Sequence, residues 1–241
     1  MACGCGRVHF RAVNTSSLPP LSAFDAAIVD LDGTLVDTLG DFTETLARTL
    51  ADLGLPAIAP QAVEHRVGKG TEHLLRSVLA HVLGPDRAGE AAALYEPAWA
   101  RYHRHYPDVN GRFSVLYPGA AEGLAALQAA GLRLACLTNK PRDFAVALLQ
   151  AKGIAGHFAA VFGGDSCERK KPDPLPILRT CEALGSVPAR TLVVGDSSND
   201  ARAARAAGCP VVLVTYGYNH GEPVRGVDAD GFVDRIGEIG G

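Results

Sequence analysis

Short apolar runs that stop abruptly on acidic or polar residues constrain this chain more than any other feature. The first, Phe24-Asp25-Ala26-Ala27-Ile28-Val29-Asp30, ends at Asp-Gly turn chemistry, as a buried strand does. Comparable runs lie at 132–137, 191–194 and 210–214, with weaker ones near 159–162 and 231–233. Helical patterns separate them, for example at 120–130 and 143–152. Strands alternating with helices of this length predict an α/β fold, a parallel sheet covered on both faces. Ligands of such sheets bind beyond the carboxyl ends of the strands.

Residues 41–112 break the rhythm. They hold no convincing strand, only helical stretches at 41–53, 71–83 and 88–106, the last of which Pro97 is expected to kink or interrupt. An all-helical block inserted after the first strand reads as a second domain. It begins about ten residues past Asp30, at the mouth of the expected site. The expected division is therefore residues 23–40 and 113–241 for the sheet domain and 41–112 for the helical cap, preceded by an extension over 1–22 that reads as disordered. The first 24 residues lack Asp and Glu and carry Arg7 and Arg11, a composition with a faint likeness to an organelle transit peptide.

Composition narrows the class. Of the 241 residues 47% are apolar, enough for a substantial core, and a net charge of −3 offers no footing for nucleic acid. No apolar run approaches the roughly 18 residues of a membrane span. The six cysteines are too dispersed to suggest a disulfide framework, and Cys136 and Cys209 read as small core residues. Cys3-x-Cys5 lacks a second pair to complete a zinc site. A cytoplasmic enzyme, monomeric or homodimeric, is the expectation.

Four strand-end motifs carry chemistry. In Asp30-Leu31-Asp32-Gly33-Thr34, two carboxylates at a strand end cannot both bury their charge uncompensated, and a divalent cation is the usual remedy. Oxygen-only ligands select magnesium. Thr138-Asn139-Lys140 offers a hydroxyl and an amide to phosphate oxygens, or equally a helix cap before Pro141. Arg169-Lys170-Lys171-Pro172-Asp173-Pro174 is a basic cluster, which by itself would be a solvated face. Gly195-Asp196-Ser197-Ser198-Asn199-Asp200 adds two carboxylates near a helix start.

In order and placement these motifs resemble the haloacid dehalogenase-like hydrolase superfamily, whose core is a Rossmann-like parallel sheet. The resemblance covers residue 24 to the C-terminus. It implies Asp30 as covalent nucleophile, Asp32 as general acid/base, Thr138 as a phosphate ligand and Lys171, directly before its Pro-x-Pro, as the phosphate-neutralising base; Asn139 is a candidate phosphate ligand from the motif itself. It implies a magnesium site drawn from Asp30, Asp32, Asp196 and Asp200, and it casts the insert as a cap. Three carboxylates would repel a phosphate dianion, so metal dependence follows from the residues.

A narrower resemblance, to the bacterial members that hydrolyse 2-phosphoglycolate, rests on Val67-Gly68-Lys69-Gly70, Thr138-Asn139-Lys140-Pro141, Gly163-Gly164-Asp165 and Leu213-Val214-Thr215-Tyr216-Gly217-Tyr218-Asn219. It implies a small phosphorylated metabolite as substrate. Lys69, in a turn between two glycines, is a candidate to read its carboxylate, or equally a solvated lysine. Another sugar phosphate, pyrophosphate or a phosphoglucomutase reaction remain alternatives within the superfamily. A dehalogenase needs neither Asp32 nor metal. A two-component receiver domain would be about half as long and lack the insert. His103-x-His105 does not share a helix face, Tyr95, Trp99 and Tyr106 read as cap core, and Arg202 and Arg205 as a solvated face.

Overall fold

The computed structural model describes residues 19–239. The chain enters through a 3-10 turn, Leu21–Ala23, into strand β1 (Ala26–Val29) and the two-residue strand β2 (Val36–Asp37). Helices α1 (Leu39–Asp52), α2 (Pro60–Glu64), α3 (Thr71–Leu83), α4 (Ala88–Ala93) and α5 (Tyr95–Val109) follow without a strand. Strand β3 (Val115–Leu116) closes this block. Alternation then begins: α6 (Ala120–Ala129), β4 (Arg133–Leu137), α7 (Arg142–Ala151), β5 (Ala160–Phe162), α8 (Leu175–Ala183), β6 (Thr191–Gly195), α9 (Ser198–Ala207), β7 (Val211–Val214) and β8 (Gly231–Val233).

Among the described residues the long sheet has the order β5-β4-β1-β6-β7-β8, parallel throughout. Alternate side chains supply its two faces, as the pleat requires. Ala27 and Val29 of β1 join Leu134, Cys136, Leu192 and Val194 beneath α6 and α7. Ala26 and Ile28 join Ala135, Leu137 and Val193 beneath α8 and α9. A strand buried on both faces must read as a continuous apolar run, which is why β1, β6 and β7 were legible. The chain leaves β1 toward β4 on one side and returns to β6 on the other, so the carboxyl end of β1 is the switch point of the sheet.

The helical block builds a separate core from Phe42, Leu46, Leu50, Leu75, Leu79, Tyr102 and Tyr106, with Tyr218 of the sheet domain packed into it. Its entry and exit strands pair antiparallel, Val36 with Leu116 and Asp37 with Val115. Asp41, fully buried, accepts the Gly111 and Phe113 amides at 2.7 and 2.8 Å and so ties the two connections together.

The helix expected over 88–106 is interrupted, as Pro97 predicts, with the break at Leu94, next to the Ala93 carbonyl that a residue-97 amide would have met. Pro97 sits in the first turn of α5, where its missing N–H has no partner to lose. Leu21 packs against the sheet core, so the extension is shorter than 1–22. Residues 1–18, with Cys3 and Cys5, lie outside the described residues. Arg202 and Arg205 are exposed as expected, and Arg205 is in addition paired at the surface with Asp228 and Asp230 at 3.1 and 2.7 Å. No described helix is long and apolar enough to cross a membrane.

Candidate active site

Strand ends bring the motifs together. Asp30 follows β1, its amide held by the Val194 carbonyl at 2.9 Å. Thr138 follows β4 and is pinned by the Phe162 carbonyl at 3.0 Å. Asp196 follows β6, and Lys171 reaches in from the loop before α8. Carboxylate oxygens of Asp30, Asp196 and Asp200 lie within 4.8 Å of one another. Asp196 can approach because Gly33 and Gly217 lack side chains: a Cβ on either would come 2.2 Å from an Asp196 atom. Gly33 also needs its positive φ of 86°. Asp196 accepts the Tyr218 amide at 2.6 Å and, more distantly, the Thr34 hydroxyl at 3.4 Å.

Lys171 is the cation of this cluster. Its Nζ donates to Asp200 Oδ1 at 2.6 Å and to the Leu137 carbonyl at 2.9 Å. It also pairs with Asp30 Oδ1 at 2.9 Å. The Asp30 side chain keeps 12% of its surface open, whereas Asp200 keeps 2%. Asp200 Oδ2 caps α9 by accepting the Ser197 hydroxyl at 2.7 Å and the Ser197 amide at 3.1 Å.

Charge is unevenly met here. Burial pushes the Asp30 carboxyl up to about 7 despite Lys171, with Asp200 adding repulsion. Burial, then Asp200 and Asp30, push Asp196 well above the ordinary carboxylate range. Burial alone would raise Asp200 too, but Lys171 and the Ser197 hydrogen bonds hold it below its ordinary value. Lys171 pays for burial yet is raised above its ordinary value by Asp200 and Asp30. Three carboxylates therefore face one ammonium, with an oxygen-only donor set. That arrangement fits a hard divalent cation.

Asp32 does not join this set, contrary to the expectation that its carboxylate is a metal ligand. Its Oδ1 receives Lys140 Nζ at 2.8 Å, and the Thr138 hydroxyl stands 3.5 Å from Oδ2. Asn139 is likewise redirected: its Nδ2 donates to the Gly68 and Lys171 carbonyls at 3.0 and 2.9 Å, so its donors are spent on backbone rather than offered to phosphate. Lys69 is exposed, and while Gly68 and Gly70 line the pocket between insert and sheet, its side chain does not. The cavity there is narrow, about 30 Å³.

Lys140 is the residue that sequence reasoning missed. It was legible as the third member of the second motif, but nothing local shows that a lysine before Pro141 is buried. Tyr106 was read as cap core; it is buried, yet its hydroxyl bonds Lys140 Nζ at 2.7 Å. Tyr102 and Tyr106 stand four apart on α5, a spacing that places both on one face, and that signal was available.

This arrangement of strand-end acids belongs to a known class. Residues 24–208 match the model of the haloacid dehalogenase-like hydrolases, and the chain belongs to that family. Its members generally use a divalent metal. Over 213 residues the chain is 41% identical to the phosphoglycolate phosphatase of Thiobacillus denitrificans, covering 88% of this chain and 92% of that protein. It is 44% identical over 211 residues to a phosphoglycolate phosphatase of Cupriavidus necator, with 88% and 89% covered. The crystal structure of a predicted phosphoglycolate phosphatase from Haemophilus somnus aligns with a TM-score of 0.83 at 33% identity, over 90% of this chain and 96% of that one. The chain is a hydrolase of phosphate monoesters.

Proposed function

We propose that this enzyme hydrolyses 2-phosphoglycolate to glycolate and phosphate, with magnesium, through an aspartyl-phosphate on Asp30. The observation that carries the reading is the partly open Asp30 carboxylate at the switch point of the sheet, 2.9 Å from Lys171 Nζ and grouped with Asp196 and Asp200. The names of the relatives at 41% and 44% identity support the substrate. The small pocket between the insert and Asp30 and Asp32 supports a small leaving group.

In this reading an Asp30 oxygen attacks phosphorus in line, and the bond from phosphorus to the ester oxygen breaks. Asp32 gives a proton to that departing oxygen. Asp32 then takes a proton from a water, whose oxygen attacks phosphorus as the bond to Asp30 breaks, freeing phosphate and the Asp30 carboxylate. Lys171, held by Asp200, and the Thr138 hydroxyl bind the phosphoryl oxygens. Magnesium held by Asp30, Asp196 and Asp200 supplies compensation for the charge of the phosphoryl group. Residues 41–112 act as a cap that excludes water from the pocket, on the sheet domain formed by 23–40 and 113–241.

A phosphate-release screen over small phosphate esters, with and without magnesium, tests the proposal. The expected result is magnesium-dependent turnover with 2-phosphoglycolate ahead of sugar phosphates and pyrophosphate. A clear preference for a sugar phosphate overturns the substrate, and full activity in chelator overturns the metal.

A further inference from the structure

The pocket that Asp30 and Asp32 line also bears donors that the reaction above does not use. Lys140, with 3% of its side chain exposed, spends two of its three N–H donors on Asp32 Oδ1 and the Tyr106 hydroxyl. Its ammonium lies 4.4 Å from the centre of the Phe42 ring. The Tyr102 and Tyr106 rings stack at 5.2 Å with 12° between their planes. The Tyr102 hydroxyl, on a residue only 1% exposed, has no hydrogen-bond partner. Buried polar groups without partners are rare in folded proteins and call for an explanation. Burial pushes both phenols well above their ordinary range, so they stay neutral donors.

These groups have donors to give and sit among apolar side chains, Phe42, Leu74 and Phe144. An ammonium and two phenols in such a wall suit an anion with several lone pairs, and a planar carboxylate has four. The position fits as well. Lys140 Nζ is 2.8 Å from Asp32, which protonates the ester oxygen in the proposed reaction. A carboxylate on the carbon next to that oxygen falls beside the same lysine. The geometry points to a carboxylate subsite formed by Lys140, Tyr102 and Tyr106, which selects phosphate esters of 2-hydroxy acids over esters with an uncharged leaving group. This inference rests on the phosphatase reading above and moves recognition from Lys69 to Lys140.

The test compares kcat/KM for 2-phosphoglycolate with that for ethyl phosphate, a two-carbon ester lacking the carboxylate, in the wild type and in Tyr102→Phe, Lys140→Met and Lys69→Ala. Thermal melts check folding. The ratio should fall about tenfold in Tyr102→Phe and up to about a hundredfold in Lys140→Met, the scale of hydrogen bonds to a charged group. It should fall less in Lys69→Ala than in either. If Lys140→Met does not fold, Tyr102→Phe, which removes one oxygen, decides. A wild type without preference for 2-phosphoglycolate overturns both the subsite and the proposed substrate. A preference that Tyr102→Phe and Lys140→Met retain, or that only Lys69→Ala abolishes, overturns the subsite alone.

Discussion

Asn139 Nδ2 donates to the Gly68 carbonyl at 3.0 Å, joining the end of β4 to the turn before α3. The same carbonyl accepts Asn199 Nδ2 at 3.2 Å, so an asparagine after β4 and one in the first turn of α9 fasten one point of the insert to the sheet. The contact lies beside the pocket rather than in the carboxylate cluster. It is a latch between insert and sheet.

Replacing Asn139 by Ala should loosen that latch. The amide makes two hydrogen bonds, each worth about 1 kcal/mol net, and their loss in a chain of this size lowers Tm by roughly 4–8 °C. Asn139→Asp should be worse, since it sets a carboxylate against two carbonyl oxygens. Calorimetry of both variants checks this; an Asp variant as stable as wild type would mean that the amide donates to neither carbonyl in solution.

Asp30→Asn should abolish turnover while the protein stays folded, because the substitution keeps the side chain's shape and removes its nucleophilic charge. Asp200→Ala should cost both activity and stability, since Asp200 holds Lys171 and caps α9. Phosphate release and circular dichroism on the pair separate the two roles. Magnesium-dependent hydrolysis by pure Asp30→Asn would remove Asp30 from the nucleophilic role.

Asp32→Asn should slow esters with poor leaving groups more than those with good ones. A nitrophenolate departs unaided, whereas the alkoxide of glycolate needs a proton. Single-turnover burst rates on both esters provide the measurement. Equal losses would show that the residue acts by placing Lys140 and Thr138 rather than by proton transfer.

Removing the metal should make stability fall as pH rises. Asp30 moves from the ordinary 3.8 to about 7 on folding, and Asp196 moves well upward too. A carboxyl with a raised folded value costs nothing below its unfolded value, and its penalty grows as pH climbs from one value to the other. Asp200, held low, acts in the opposite direction as pH falls. In chelator, Tm should drop between pH 5 and about 7.5, and less so in Asp30→Asn, flattening the slope. Magnesium should raise Tm more at pH 7.5 than at pH 5; an equal rise at both would separate cation binding from these carboxylates.

Asp41→Ala should destabilise the junction of the helical insert with the sheet without touching the chemistry. It leaves the Gly111 and Phe113 amides without their acceptor, at roughly 1–3 kcal/mol for each that stays buried. Denaturant unfolding reads the loss.

The sequence by itself determined the alternating α/β core, the helical block after β1 and the strand-end placement of Asp30, Thr138 and Asp196. Those follow from short-range periodicity and turn chemistry, which neighbouring residues carry among themselves. It could not disclose the β2–β3 pair, whose strands are two residues long and almost 80 apart in the chain. Nor could it separate Asp32 from the metal carboxylates, spend the Asn139 amide on Gly68, or bury Lys140 between Asp32 and Tyr106. Asp32 and Lys140 are 108 positions apart, and Lys140 and Tyr106 are 34. Which donor meets which acceptor over such separations is set by how the insert packs on the sheet, because a buried polar group takes whatever partner that packing puts within reach.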